Sequence, residues 1–388
     1  MLSFLHRIRN SNKLLFHYKQ GSNPSTAHLR FISKVPAKPR NDQSSLTISY
    51  LTNSCGLSPQ SALSVAKKIQ LKTTKNADSV LNLLKSHSFT DTQITKLITK
   101  SPALLLSNVE NTLKPKIDFF TDTGFSSSEF ASLACCDPII FRSNLQNRIK
   151  PNFELINSIL GDNKKLLVAF RRSSRLFSND LETNFLPNVR TLQSYGVPTT
   201  NIAKLITLYP RVLTNETKQF ATTVESIKKF GFNPLTCLFV QAVYVVSATT
   251  PLTWESKSAV YKSLGWSEGE IISAFTKQPF CLLLSEKKIR KMVDFYVKKL
   301  HWEPCFLAAN PKFLGYSLEK RVLPRCCVLS VLSSKSLIRR YPHVNHRDLS
   351  INECKFYNKY VGKYMDQVPE VIEAYKSNLE FVEFDVLC

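Results

Sequence analysis

Ser101-Pro102-Ala103-Leu104-Leu105-Leu106-Ser107 returns 36 residues later as Asp137-Pro138-Ile139-Ile140-Phe141-Arg142-Ser143, and this pair decides the fold. The same run recurs as Tyr209-Pro210-Arg211-Val212-Leu213-Thr214, as Gln278-Pro279-Phe280-Cys281-Leu282-Leu283-Leu284-Ser285 and as Asn310-Pro311-Lys312-Phe313-Leu314. With Ser174 and Val243 standing where two units lack the proline, the register positions 102, 138, 174, 210, 243, 279 and 311 are spaced 36, 36, 36, 33, 36 and 32. A period of this length is the mark of stacked helical units, each packing on its neighbours.

Within a unit, the apolar run ends in Ser107, Ser143, Ser178, Thr214, Ser247, Ser285 or Ser317. These residue types cap helix N-termini, and Ser107 with Glu110 and Ser143 with Gln146 have capping-box spacing. A first helix then runs to Gly124-Phe125, Gly161, Gly196-Val197, Gly231-Phe232, Gly265-Trp266 or, degenerately, His301-Trp302. Glycine there suits a left-handed C-terminal cap. A second helix follows, as over 126–136, 199–208 and 267–276, and the next proline ends it. The unit is therefore helix, turn, helix and a short apolar turn of 3₁₀ type. Pro115, Pro151, Pro187 and Pro324 fall about nine residues into first helices, where a proline removes a hydrogen bond and bends the axis. The expected fold is all-α: a curved superhelical solenoid of about eight such repeats.

The flanks extend the array. Residues 80–99 read as a further unit with His87 in the glycine position, and 46–72 as a degenerate first unit. After Leu332 the pattern fades, and 356–361 and 368–379 suggest closing helices. The expected divisions are an organelle transit peptide over 1–41, a degenerate repeat or cap over 42–75, the array over 76–332, and closing helices with a tail over 333–388. The transit reading rests on eight Lys/Arg (Arg7, Arg9, Lys13, Lys19, Arg30, Lys34, Lys38 and Arg40) with no acid before Asp42, and on the amphipathic spacing of Phe4, Leu5, Ile8 and Leu15.

The chain of 388 residues has a net charge of +23, and loss of 1–41 would leave about +15. That surplus points to a polyanionic partner. The ten cysteines contain no C-x-x-C and lie mostly in apolar runs, as free thiols in a reducing compartment do. With only 10 glycines, Gly-rich classes are excluded. The most apolar stretch, 235–248, is too short for a membrane span and contains Gln241. No G-x-G-x-x-G, P-loop or H-E-x-x-H is present. His343, His346 and Cys354 lack a fourth ligand and ligand-like spacing, so no metal or cofactor is expected. Trp254, Trp266 and Trp302 read as packing residues rather than stacking platforms.

Basic residues supply the candidate binding set. Lys218, Lys287, Lys288, Arg290, Lys291, Lys320 and Arg321 lie near first-helix starts, where the helix dipole favours acids instead. Free N–H groups at those helix ends bind phosphate, so stacked ends would track a nucleic-acid backbone. Arg175, Arg211 and Lys312 each follow the proline register directly, and Arg148, Lys150, Arg171, Arg172 and Arg190 cluster near them in sequence. The alternative for each is an ordinary solvated face.

The register, with its "x-x-P-x-L-L" runs, resembles the mTERF family. Leu113-Lys114-Pro115-Lys116-Ile117-Asp118-Phe119-Phe120, closing on Gly124-Phe125, carries that resemblance most clearly, and Leu318-Glu319-Lys320-Arg321-Val322-Leu323-Pro324-Arg325 is like the family's closing unit. The likeness covers roughly 46–375; the missing prolines at 174 and 243 and the loose end after 332 depart from it. It implies a curved helical array that binds nucleic acid in organelles. It also implies a role in transcription termination or other transcriptional control or, in some members, RNA maturation. The expected function is a non-enzymatic regulator of organellar gene expression, acting as a monomer on double-stranded DNA, without a membrane or small-molecule partner. RNA binding for intron splicing or RNA stability is one alternative. A protein-binding scaffold is another, although its groove would be apolar or mixed rather than basic. Arg30-Phe31-Ile32-Ser33 resembles a mitochondrial cleavage site, which favours the mitochondrion over the chloroplast.

Overall fold

A computed structural model describes residues 41–338 and 345–376. The acid-free segment 1–40, His343 and the stretch beyond 376 lie outside the described residues. All regular structure among the described residues is helical, with no strand. These residues form two compact units that divide between Ala221 and Thr222, inside the helix Thr217–Lys229.

The unit from 41 to 221 opens with helices Asn41–Asn53 and Pro59–Ala66. Regular repeats follow, with second helices Asp91–Lys100, Ser127–Cys136, Asn163–Arg172 and Thr199–Leu208. Short turns at Pro102–Leu106, Ile139–Arg142, Arg175–Ser178 and Pro210–Thr214 end the repeats. Second helices of neighbouring repeats pack together, as Asp91–Lys100 does on Ser127–Cys136 and Asn163–Arg172 on Thr199–Leu208. The core is rich in phenylalanine: Phe170 stacks on Phe177, and Phe120 meets Phe177 edge-on. Each such buried ring contributes roughly 1.5–3 kcal/mol.

The unit from 222 onward continues through Cys237–Ala248, Pro251–Ser263, Glu268–Lys277, the turn Pro279–Leu283 and Glu286–Asp294. It proceeds through Pro304–Ala309, the turn Lys312–Gly315 and Leu323–Ser334. The closing helices are His346–Ser350, Glu353–Phe356 and Glu370–Tyr375, the last packing on Leu323–Ser334. Trp254, Trp266 and Trp302 are buried, and Trp302 stacks on Tyr296. No single helix among the described residues is long and apolar enough to cross a membrane.

Four details differ from the sequence expectation. First, the prolines within first helices do not merely delete a hydrogen bond. In each case the residue just before the proline bonds five residues back: Lys114 to Val109, Lys150 to Leu145, Leu186 to Leu181 and Leu323 to Leu318. A wide π turn makes room for a ring that would clash with the carbonyl four back. Second, Asn108 and Asn144, not Ser107 and Ser143, cap their helices, accepting from the N–H groups of Asn111 and Asn147. Asn ranks with Ser as a cap, so the boundary moves by one residue without loss. Third, Ser88 (φ 64), not His87, takes the left-handed position before Phe89, while His301 (φ 54) does hold it before Trp302.

The fourth difference is the largest. Val243-Tyr244-Val245-Val246-Ser247 is not a turn; it lies inside the continuous helix Cys237–Ala248, and Thr250 rather than Ser247 caps the next helix. No proline interrupts the helix here, and its buried face (Phe239, Val240, Val243 and Val246) holds it through the register position. Supplying the missing proline should therefore damage the protein. V243P removes a helix hydrogen bond and adds a clash, at a cost of about 3 kcal/mol or more, and a thermal melt should show the loss. Unchanged melting would mean that the turn had been suppressed by something other than the missing proline.

Candidate nucleic-acid interface

Five of the six short turns share one pattern of exposure; in Pro279–Leu283 the residue after the proline, Phe280, is half-buried. In the five, the residue after the proline position faces solvent, and the next two are buried: Ala103 before Leu104/Leu105, Ile139 before Ile140/Phe141, Arg175 before Leu176/Phe177, Arg211 before Val212/Leu213 and Lys312 before Phe313/Leu314. One helical turn can bury only one side, so the two apolar residues anchor it and the first projects outward. Arg175 and Arg211 thus occupy equivalent exposed positions in adjacent repeats of the first unit, and Lys312 the same position in the second.

Several candidates are already engaged within the protein. Arg171 and Arg172, adjacent in sequence, reach opposite ways. Arg171 pairs with Glu129 of the preceding repeat at 2.9 Å and lies over Phe125. Arg172 donates to Leu208 O of the following repeat at 3.3 Å. Lys100 and Lys277 make the same forward contact, to Cys135 O and Ala309 O. Cations at these carbonyl ends of helices complement the dipole and satisfy orphan acceptors. Glu129 is held below the usual carboxylate range first by the Ser126 backbone N–H, with Arg171 adding to the effect.

Arg148 pairs with Asp180, Arg290 with Glu286 and Ser263, and Lys291 with Glu319. Lys288 donates to Gly315 O at 3.0 Å, while Lys312 lies over the Phe313 ring. Arg321 lies over Tyr316 and donates to the carbonyls of Leu349, Ser350 and Ile351. Lys218 is exposed in the first turn of Thr217–Lys229. In contrast, the side chains of Lys150, Arg175, Arg190, Arg211, Lys287 and Lys320 make no hydrogen bond or ion pair within the protein among the described residues.

The helix ends themselves are less open than the sequence suggests. Glu216 accepts from the N–H groups of Lys218 and Gln219, Ser285 from Lys288 and Ser317 from Lys320. Glu286 and Glu319 also stand in first turns, where acids are favoured. Part of the expected row of free N–H donors is thus occupied by the chain's own side chains.

Two features escaped the sequence reading. Arg142, at the end of the turn Ile139–Arg142, is exposed and its side chain makes no hydrogen bond or ion pair among the described residues, which adds a cation at the far end of a turn to those at the start of the next two. The other feature is a buried polar residue directly after each first-helix proline. Asn152 donates to the carbonyls of Leu176, Phe177 and Asn179. Asn188 donates to those of Leu213 and Asn215. Lys116 donates to Phe141 O, and burial pushes its amine down. Arg325 does the same for the carbonyls of Asp348, Leu349 and Ile351. The signal was present as a polar residue at fixed register behind a proline, at positions otherwise facing the core.

Charge is zoned along each unit. Residues 41–137 carry nine Lys/Arg against eight Asp/Glu, whereas 138–221 carry twelve against five. In the second unit, 222–276 balance at four and four, and 277–325 carry eleven against four. The turn edge follows the same zoning in the first unit, from exposed Ala103, Leu106 and Ile139 to Arg142, Arg175 and Arg211.

The mTERF family model matches residues 69–357, most of the chain and all of the regular repeats. The chain belongs to the mTERF family. It is 21% identical over 230 residues to transcription termination factor MTERF8, chloroplastic, of Arabidopsis thaliana, a match covering 59% of this chain and 46% of that protein. It is also 24% identical over 258 residues to transcription termination factor MTERF15, mitochondrial, of the same plant, covering 66% of this chain and 48% of that protein. The chain spans about half the length of the curated relatives it matches. Among the described residues of this mTERF protein, no three His, Cys, Asp or Glu side chains gather as a metal site would require.

Proposed function

We propose that this chain is a non-enzymatic, nucleic-acid-binding regulator of organellar gene expression that grips double-stranded DNA and acts in transcription termination or a related control step. The carrying observation is the exposed turn edge of the first unit, where Arg175 and Arg211 project in register, with no partner among the described residues, inside the more basic part of that unit. Phosphate contacts of this kind supply affinity and orientation, not base choice. The names of the two relatives, both transcription termination factors of plant organelles, support the same reading.

The proposal takes 1–41 as a transit peptide, 42–75 as a cap, 76–332 as the binding array and 333–388 as the closing end, with the mitochondrion as destination and a monomer on the nucleic acid. Crosslinking in isolated organelles, followed by sequencing of what is recovered, tests it. Recovery of DNA at a discrete site is the expected result. Intron RNA would replace the DNA reading with one of splicing, and recovery of neither would favour a protein scaffold. In vitro, the logarithm of affinity for duplex should fall linearly with the logarithm of salt concentration, each engaged cation adding about −0.9 to the slope. A flat line would remove the phosphate-gripping edge altogether.

A further inference from the structure

The buried asparagines behind Pro151 and Pro187 have a place in this binding. We propose that Asn152 and Asn188 are positioning residues for Arg175 and Arg211, fixing the spacing of the cations along the turn edge; this rests on the nucleic-acid reading above. Neither amide can meet a ligand, since Asn188 is 0% exposed and Asn152 6%.

Each side chain crosses from a first helix to the turn that carries the arginine. Asn188 Nδ2 holds Leu213 O at 3.0 Å and Asn215 O at 2.8 Å, just beyond Arg211. Thr214 Oγ1 donates to Arg211 O itself, and Arg172 holds Leu208 O on the near side. Asn152 Nδ2 holds three carbonyls just beyond Arg175, those of Leu176, Phe177 and Asn179, at 2.8–3.1 Å.

The turns are too short to fix themselves. A single helical turn closes very few internal hydrogen bonds, and its final carbonyls have no partner in the turn. The asparagines supply those partners from outside. Asn188 does so while its own Oδ1 is buried and has no hydrogen-bond partner among the described residues. Two cations meet two phosphates at once only if their separation is set beforehand; otherwise ordering them costs part of the binding energy.

The test is a double-mutant cycle on the full chain, read as the salt dependence of binding to a random-sequence DNA duplex. Arg211→Ala should make the log–log slope shallower by about 0.9. Asn188→Ala should reproduce at least half of that change and add little on top of Arg211→Ala. Asn152→Ala with Arg175→Ala forms an independent second cycle, which carries the test if the Asn188 variant fails to fold. A merely structural asparagine would weaken binding by the same factor with and without the arginine and leave the slope unchanged, and that outcome overturns the proposal. If Arg211→Ala and Arg175→Ala both leave the slope unchanged, the turn-edge reading itself has failed, and the positioning role falls with it. If the arginines change the slope while the asparagines act additively, only the positioning role falls.

Discussion

Arg325→Ala should cost about 3–5 kcal/mol of stability, since several charge-assisted hydrogen bonds to buried carbonyls are lost together. Arg325 is 1% exposed, yet charged. Its Nη1 donates to the carbonyls of Asp348, Leu349 and Ile351, its Nη2 pairs with Glu353 at 2.6 Å, and its guanidinium lies over Phe356. Truncation leaves three carbonyls without this donor and strips Glu353 of its cation, although Tyr375 still donates to that carboxylate. Arg321 shares the acceptors Leu349 O and Ile351 O but is only half-buried, so it cannot fill the space. Lysine should not rescue the variant, because a point ammonium cannot meet acceptors that the planar fork reaches together. A thermal melt with limited proteolysis checks this. The expected pattern is a melting temperature lowered by roughly 10 °C and early cleavage within 345–376. Melting within a degree of the parent would show that the closing helices are held by Leu323–Ser334 packing alone.

The architecture was legible because proline is a hard physical marker. It disfavours helix in the residue before it, so a recurring proline behind the second helices maps onto turns. Where the marker was missing, the reading became ambiguous. The runs at 174–178 and 243–247 look alike in sequence, since two buried apolar residues fit a short turn and a helix face equally well. The first became a turn behind Ser173-Ser174, and the second stayed helical among valines.

The candidate cations were legible only as charge. Sequence shows that Arg171, Arg148 and Lys291 are cationic, but their acids lie a repeat away at Glu129, Asp180 and Glu319. In a stacked array the nearest charge in space is often some 30 to 40 residues distant, so local inspection separates paired from unpaired cations poorly. The structure draws that distinction among the described residues: Lys288, Arg290, Lys291 and Arg321 are engaged within the protein, whereas the side chains of Lys287, Lys320, Arg175 and Arg211 are not. It also explains why the cations of the second helices behave differently from those of the turns. Arg172 and Lys277 sit at helix ends whose carbonyls attract them, whereas Arg175 and Arg211 sit one step further on, past the last acceptor.

That difference yields the second large effect. Reversing both cations, which have no partner among the described residues, as R175E with R211E, should weaken duplex binding about 1,000-fold at low salt. Each reversal is worth roughly 2 kcal/mol, since a charge-assisted hydrogen bond is lost and a repulsive charge faces the phosphates. The defect should shrink as salt rises, because these exposed charges are screened within about 10 Å at 0.1 M. Stability should stay within about 0.5 kcal/mol of the parent, as both residues are exposed and hold nothing in place. The contrast is with R171A, which breaks the pair to Glu129 and the contact over Phe125. It should lower stability slightly, by up to about 1 kcal/mol, and leave the salt slope nearly unchanged. If R171A flattens the slope and the double reversal does not, the gripping surface lies along the second helices rather than the turns. Equal effects would mean that ion pairing within the protein does not decide which cations reach the nucleic acid, and partner geometry would then have to be sought in the cations of the first helices, Lys150 and Arg190.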